Sequence, residues 1–232
     1  PNKNFENKIE INSIIQNPSN IIIKAPSEFW LTSLAHFIKL GAYKQGKIFF
    51  YVDSKKKKKH KIVNYIKREV ENYYFTSADK IDCILLDSVC FEETGIMQMI
   101  KNVCDDFQDI PLIILNTLDN NFFLKSKEDD NIEIKRPFTS LYLLPLPQTE
   151  LRKIVTGYSK NRSIAEDYNV LLDKVAKDLE ILNMHRTPKN CISILRASHK
   201  IGSEYNPINR TKLLETILNS IFEDYEIPTF HS

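Results

Sequence analysis

The chain has 232 residues, 42% hydrophobic and 27% charged, the composition of a globular protein with a sizeable core and room for one large domain or two small ones. A net charge of +2 argues against bulk affinity for nucleic acid or anionic lipid. No apolar run approaches the roughly 20 residues that span a bilayer, and no secretory leader pattern opens the sequence, so no membrane is expected as a partner.

Taken in chain order, residues 1–20 read as an approach segment with a weak apolar pattern at Phe5, Ile9, Ile11, Ile14 and Ile15, closed by a turn at Asn17-Pro18-Ser19-Asn20. Ile21–Lys24 reads as a buried strand. The spacing then predicts a helix capped by Ser27, with Trp30, Leu34, Phe37 and Ile38 on one face. Lys47–Val52 is a second strand ending at Asp53, and Lys61–Tyr73 a helix on Ile62, Ile66 and Val70. Ile81–Leu86 is a third strand, almost wholly apolar, as expected where both faces of a parallel sheet are covered. Gly95–Phe107 reads as a helix, Ile110–Leu115 as a fourth strand and Ser140–Leu144 as a fifth. After Pro145-Leu146-Pro147 only helical patterns remain, over Gln148–Gly157, Ala165–Asn183, Thr187–His199 and Asn209–Phe222, with Thr187-Pro188 as an N-cap followed by proline at the first helical position. Strands alternating with helices predict a parallel α/β sheet over residues 1–146, followed by a smaller helical domain over 147–232.

The stretch Ile21–Ile38 (IIIKAPSEFWLTSLAHFI) has the strand–loop–helix order of a phosphate-binding loop, GxxxxGK[ST]. On that pattern the first glycine falls on Ala25, the second on Trp30, the lysine on Leu31 and the hydroxyl residue on Thr32. Glycines allow backbone N–H groups to wrap closely around phosphate, and the lysine neutralises its charge. Trp30 and Leu31 supply neither, so the architecture is expected without the hydrolysis.

Other residues invite two readings each. Asp87, after the third strand, either holds Mg²⁺ at the carboxyl edge of the sheet or caps the exit loop, and Glu92 and Glu93 follow as candidate catalytic acids. Asn116, after the fourth strand, either senses a γ-phosphate or serves a surface turn. The run Lys55–Lys59, continued by His60 and Lys61, reads as a solvated loop without interleaved aromatics, which argues against a nucleic-acid interface, and acidic Glu128–Asp130 reads as a second loop. His185 and Arg186 either meet a phosphate or merely link two helices, and Arg210 either approaches a ligand or pairs at the surface. The four cysteines, Cys83, Cys90, Cys104 and Cys191, form no CxxC pair, and buried thiols in a reducing cytoplasm are expected. The first residue is Pro1 rather than Met, which reads as the start of a piece excised from a longer protein whose other domains are its partners.

Leu182–Leu195 (LNMHRTPKNCISIL) and Pro207–Phe222 (PINRTKLLETILNSIF) resemble the helical region that follows the ATPase core in bacterial STAND NTPases, NACHT-like signalling proteins often found in antiphage defence. The order of the degenerate loop, the Asp87 strand, the Asn116 strand and the Phe138–Leu146 segment agrees with that family. The resemblance implies a P-loop-NTPase-like sheet that binds ATP or ADP, a helical domain that closes over it, and oligomerisation that activates a fused effector. It assigns Thr32 as the hydroxyl that contacts magnesium, Asp87 as the acid that coordinates it, and Pro188 as the proline on the adenine side. The family carries GxxxxGK[ST] where this chain has APSEFWLT, and an acidic pair after the third-strand acid where it has Cys90 and Phe91.

Three functional readings follow. The first is a degenerate module without ATP turnover, serving regulation or oligomerisation. The second is an atypical NTPase using main-chain contacts over Ser27–Thr32 and a lysine from elsewhere, such as Lys24. The third is a nucleic-acid adaptor using Lys55–Lys61.

Overall fold

A computed structural model of the chain describes residues 8–74, 80–118, 134–162, 167–201, 211–215 and 218. They belong to two compact units, Pro1–Leu143 and Leu144–Ser232.

In the first unit five strands form one sheet: β1 (Ile21–Pro26), β2 (Phe49–Asp53), β3 (Cys83–Val89), β4 (Leu112–Leu118) and β5 (Thr139–Tyr142). Their spatial order is β2-β3-β4-β1-β5, and every pairing is parallel. Parallel neighbours need crossovers, which are supplied by α2 (Leu31–Lys44), α3 (Ile62–Tyr74) and α4 (Ile96–Asp106), while a short α1 (Ile11–Gln16) precedes β1. The pleat divides the interior into two layers. Ile23, Ala25, Phe49, Leu85, Ile113 and Leu115 face α1 and α2. Phe50, Val52, Ile84, Leu86, Leu112 and Ile114 face α3 and α4. The near-continuous apolar runs of β3 and β4 are thereby explained, since each of these strands is covered on both faces.

The second unit contains α5 (Gln148–Arg162), α6 (Tyr168–Ile181) and α7 (Pro188–Ile201), with residues 211–215 also helical. Leu151, Val155, Leu172, Val175, Leu179 and Ile194 form its core. Asp167 caps α6 by accepting a hydrogen bond from the Asn169 N–H at 2.7 Å. Among the described residues no helix is long and apolar enough to cross a membrane.

Several local expectations are corrected. The approach segment contains a helix, α1, whose Ile14 and Ile15 are buried. Ser27 does not cap α2. It opens a 3-10 turn over Ser27–Phe29, and the residue that precedes the helix is Trp30. The buried stripe of α2 is Leu31, Ala35, Ile38 and Ala42, so Trp30 and Phe37 stay exposed. Because the helix begins at Leu31, its core face is rotated from the predicted one, and small alanines pack against the sheet. Glu128–Asp130, Asn209 and Arg210 lie outside the described residues, as does most of the predicted Asn209–Phe222 helix.

Candidate functional site

β1 delivers the chain to the carboxyl edge of the sheet, where ligands of open α/β folds bind. The 3-10 turn follows, and Trp30 then takes the left-handed conformation (φ 55°, ψ 49°) before α2 begins. This is the position that the phosphate-loop pattern gives to its second glycine. Holding a bulky residue there costs about 1–2 kcal/mol, so the backbone keeps a glycine-type turn without the glycine. Leu31, at the lysine position, is 5% exposed and packs in the α2-side core. Ser27 and Thr32 are both exposed.

Asp87 is 1% exposed and sits inside β3, opposite Asp53 of β2, so it does not cap an exit loop. Its Oδ2 accepts a hydrogen bond from the Tyr51 hydroxyl at 2.8 Å, and the hydroxyl of Thr32 is not its partner. Burial raises the Tyr51 phenol well above its ordinary pKa, and the hydrogen bond to Asp87 and the charges of Asp87 and Asp53 raise it further. The phenol therefore stays a donor at any physiological pH. The His36 ring, one turn beyond Thr32 on α2, lies 4.5 Å from the Tyr51 ring. Just after Asp87 the strand bulges. Ser88 adopts φ 59°, the register shifts between Leu86 and Val89, and Ser54 Oγ donates to the Ser88 carbonyl at 3.0 Å.

Asn116 lies within β4 rather than in a turn, 2% exposed, in register with Lys24 of β1, which is in turn in register with Tyr142 of β5. Among the described residues its Oδ1 has no hydrogen-bond partner. The alternation of the strands sets Asn116, Lys24 and Tyr142 on the α3/α4 face and Asp87 with Tyr51 on the α2 face. The sheet thus brings Asp87 and Asn116 to the same edge but turns them to opposite sides. The Lys24 ammonium lies 5.8 Å from the centre of the Tyr142 ring.

Glu92 and Glu93 are exposed. Glu93 pairs with Lys59 at 2.8 Å, and Glu92 accepts from Cys90 Sγ at 3.1 Å. The lysine run is correspondingly not a plain solvated loop. Two 3-10 turns, Ser54–Lys56 and Lys59–Lys61, order it. Lys56 pairs with Asp53 at 3.3 Å, Lys57 lies 3.8 Å above the Tyr65 ring, and Lys59 also donates to the Thr94 carbonyl at 2.6 Å. The neighbouring Asp53 and Tyr65 and the sequence-distant Glu93 offset the repulsion that the run alone would suffer.

In the second unit His185, Arg186 and Pro188 are exposed, in and just after the connection from α6 to α7. The connection is built on its own backbone. Thr187, 1% exposed, caps α7 through Oγ1, which accepts from the Asn190 N–H at 3.2 Å. Asn190 Nδ2 donates to the His185 carbonyl at 2.9 Å, and the Leu146 N–H donates to the Arg186 carbonyl at 2.7 Å. Cys191 is fully buried, with burial pushing its thiol up to about 11. Sequence reasoning missed Tyr51, His36 and Asn190. Tyr51 was hidden as one aromatic in an apolar strand, and only its register beside β3 reveals it.

A nucleoside triphosphate with Mg²⁺ does not fit the loop as built. Leu31 offers no charge, Trp30 occupies the close-approach position, and the buried Asp87 carboxylate is engaged by Tyr51.

No protein-family model matches the chain, and no curated protein matches it. Solved structures do. The Orc1 protein of Aeropyrum pernix, in complex with DNA, superposes with a TM-score of 0.54 at 14% identity, covering 92% of this chain and 65% of that one. DnaA from Aquifex aeolicus, bound to AMPPCP, gives 0.50 at 12% identity, covering 92% and 63%. Domain III of the Thermotoga maritima replication initiation protein DnaA gives 0.52 at 16% identity, covering 94% and 90%. The chain spans less than two thirds of the Orc1 chain and of the AMPPCP-bound DnaA chain. These likenesses show the fold: the parallel sheet flanked by helices is that of the P-loop NTPase and AAA+ domain.

Proposed function

We propose that this P-loop-ATPase-like module has given up hydrolysis and acts as a regulatory or oligomerisation element within a longer STAND-type protein of bacterial signalling or antiphage defence. The carrying observation is the pair Trp30 and Leu31, where a left-handed tryptophan and a buried leucine replace the close-approach glycine and the phosphate-binding lysine. The engagement of Asp87 by Tyr51 supports the same reading, because a carboxylate already hydrogen-bonded in the interior is poorly disposed to hold hydrated Mg²⁺. Adenine and ribose contacts need no such lysine, so residual ADP binding is compatible with the loss. In that role Thr32 and Pro188 are the contacts the resemblance implies, while Ser27, Asn116, His185 and Arg186 are candidate contacts by residue type and position alone.

A second reading, an atypical nucleotide switch, draws on Asn116, whose buried Oδ1 has no hydrogen-bond partner among the described residues and which lies in register with the ammonium-bearing Lys24. The nucleic-acid reading loses ground because Lys56, Lys57 and Lys59 are already engaged.

Calorimetric titration of ATP and ADP, with and without Mg²⁺, separates the first two, alongside phosphate-release assays. The proposal expects no turnover and no magnesium-dependent tightening. Micromolar, magnesium-dependent ATP binding abolished by Thr32→Ala and Asp87→Asn overturns it in favour of the switch.

A further inference from the structure

We infer that the groove between α2 and the outer edge of β2 is a docking site for an extended acidic peptide from a partner protein. Three independent features of the first unit converge there.

The first is an open strand edge. β2 ends the sheet, and among the described residues only β3 pairs with it. Ile48 directs its backbone toward β3, its carbonyl accepting from the Asp82 N–H at 2.9 Å and its N–H donating to Asp82 Oδ2 at 2.8 Å. By the alternation of a parallel ladder, the N–H and C=O groups of Phe49 and Tyr51 point the other way. A row of such groups is a template for one more strand, and native proteins usually blunt or cover it.

The second is an apolar wall beside that edge. α2 buries one face against the sheet, yet its solvent side carries Phe37 at 60%, Leu40 at 52% and Tyr43 at 75% exposure. Leu40, Tyr43, His36 and Lys39 line a groove of about 500 Å³ with Ile48 and Phe49 across from them. An added strand projects alternate side chains to one face, and this groove can receive an apolar one.

The third is charge. Residues 29–52 contain no Asp or Glu, while Lys39, Lys44 and Lys47 are all present. Lys47 Nζ is taken up by the Ile15 and Gln16 carbonyls at the end of α1. Among the described residues no acid pairs with Lys39 or Lys44. A peptide alternating apolar and acidic residues would satisfy groove and lysines together.

The edge distinguishes a peptide from other polyanions. It presents donors and acceptors in alternation, which a peptide backbone matches, whereas a phosphodiester chain brings acceptors only. A lipid surface would leave the edge groups without partners. The inference does not depend on whether nucleotide is bound.

The test is selection of random octapeptides displayed on phage against the full 232-residue chain at physiological salt. Enriched peptides are expected to alternate acidic and apolar residues. Leu40→Asp, at an exposed position where the melting temperature is expected to hold, should weaken them about tenfold or more. The double reversal Lys39→Glu with Lys44→Glu should shift the selected charge from acidic to basic. Hydrogen exchange should slow at the Phe49 and Tyr51 amides when a selected peptide is added. Failure to enrich any sequence overturns the proposal, as does equal binding by the Leu40→Asp protein. Oligothymidine or anionic vesicles competing for the same face with no peptide preference overturn it too.

Discussion

The Tyr51 hydroxyl, on the outermost strand of the sheet, donates a 2.8 Å hydrogen bond to Oδ2 of Asp87, a carboxylate only 1% exposed on the neighbouring strand. The bond gives the buried acid a fixed protein partner, and it puts an aromatic ring between the sheet and His36. Tyr51→Phe removes the donor and leaves the acid's oxygen without it. Hydrogen bonds to charged groups are worth about 1.5–3 kcal/mol, and a loss of that size is expected in urea unfolding. Adding Asp87→Asn should recover part of it, because the neutral amide is cheaper to bury. A single variant as stable as the parent would show that the bond does not hold the acid.

Restoring the loop lysine should harm rather than help. Leu31 is embedded among Ala35, Ile38 and the sheet. Leu31→Lys exchanges buried apolar surface for a charge that must be desolvated or drawn out of the core, at a cost of about 2–4 kcal/mol. The urea midpoint should fall, and phosphate release should stay at background. ATP turnover in this single variant would mean that the position is poised for phosphate after all.

Arg136 ties the entrance to β5 to the end of α4. Its guanidinium donates to the carbonyls of Ile110 at 2.9 Å, Cys104 at 3.1 Å, and Phe107 and Gln108, both at 2.6 Å. The last carbonyls of a helix lack partners within it, and a cation there also meets the negative end of its dipole. Arg136→Ala is expected to cost about 2–3 kcal/mol. Arg136→Lys should restore less than half, because one ammonium cannot span the fork. Paired thermal melts of the two variants would decide the matter, equal melting temperatures counting against a role for the fork.

Alkaline pH should weaken the fold. Burial raises the Cys191 thiol from its ordinary value of 9.0 to about 11, and the Cys104 thiol is also raised, chiefly by burial. Each group binds its proton more tightly when folded. Stability is therefore fully present below pH 9.0 and lost as the pH rises toward about 11, where the unfolded chain ionises first. Unfolding free energies across that window should slope downward, and Cys191→Val should make the slope shallower, the remainder coming from Cys83, Cys104 and Tyr51, which burial also raises. A flat profile in the parent would contradict the burial of these thiols.

Much of the fold is legible along the chain because its signals are local. Apolar runs such as ILL in β3 and LIIL in β4 require a covered parallel sheet, and their alternation with amphipathic stretches requires crossover helices. Thr187-Pro188 announces the start of α7, and the structure provides the expected cap through Thr187 Oγ1. The altered loop is equally visible, since both glycines and the lysine of the pattern are missing by identity alone, at Ala25, Trp30 and Leu31.

The class of fold, the helical patterns after Pro147, and the replacement of the loop pattern's second glycine and lysine by Trp30 and Leu31 are written in the chain itself, because periodicity and residue type are properties of a few residues at a time. That Asp87 faces Tyr51 rather than solvent, that Asn116 turns to the opposite side of the sheet, and that Lys59 closes on Glu93 emerge once the strands are paired. Those relationships join residues some thirty or more positions apart through strand register and a bulge at Ser88, and a shift of one residue in register would redirect each of them.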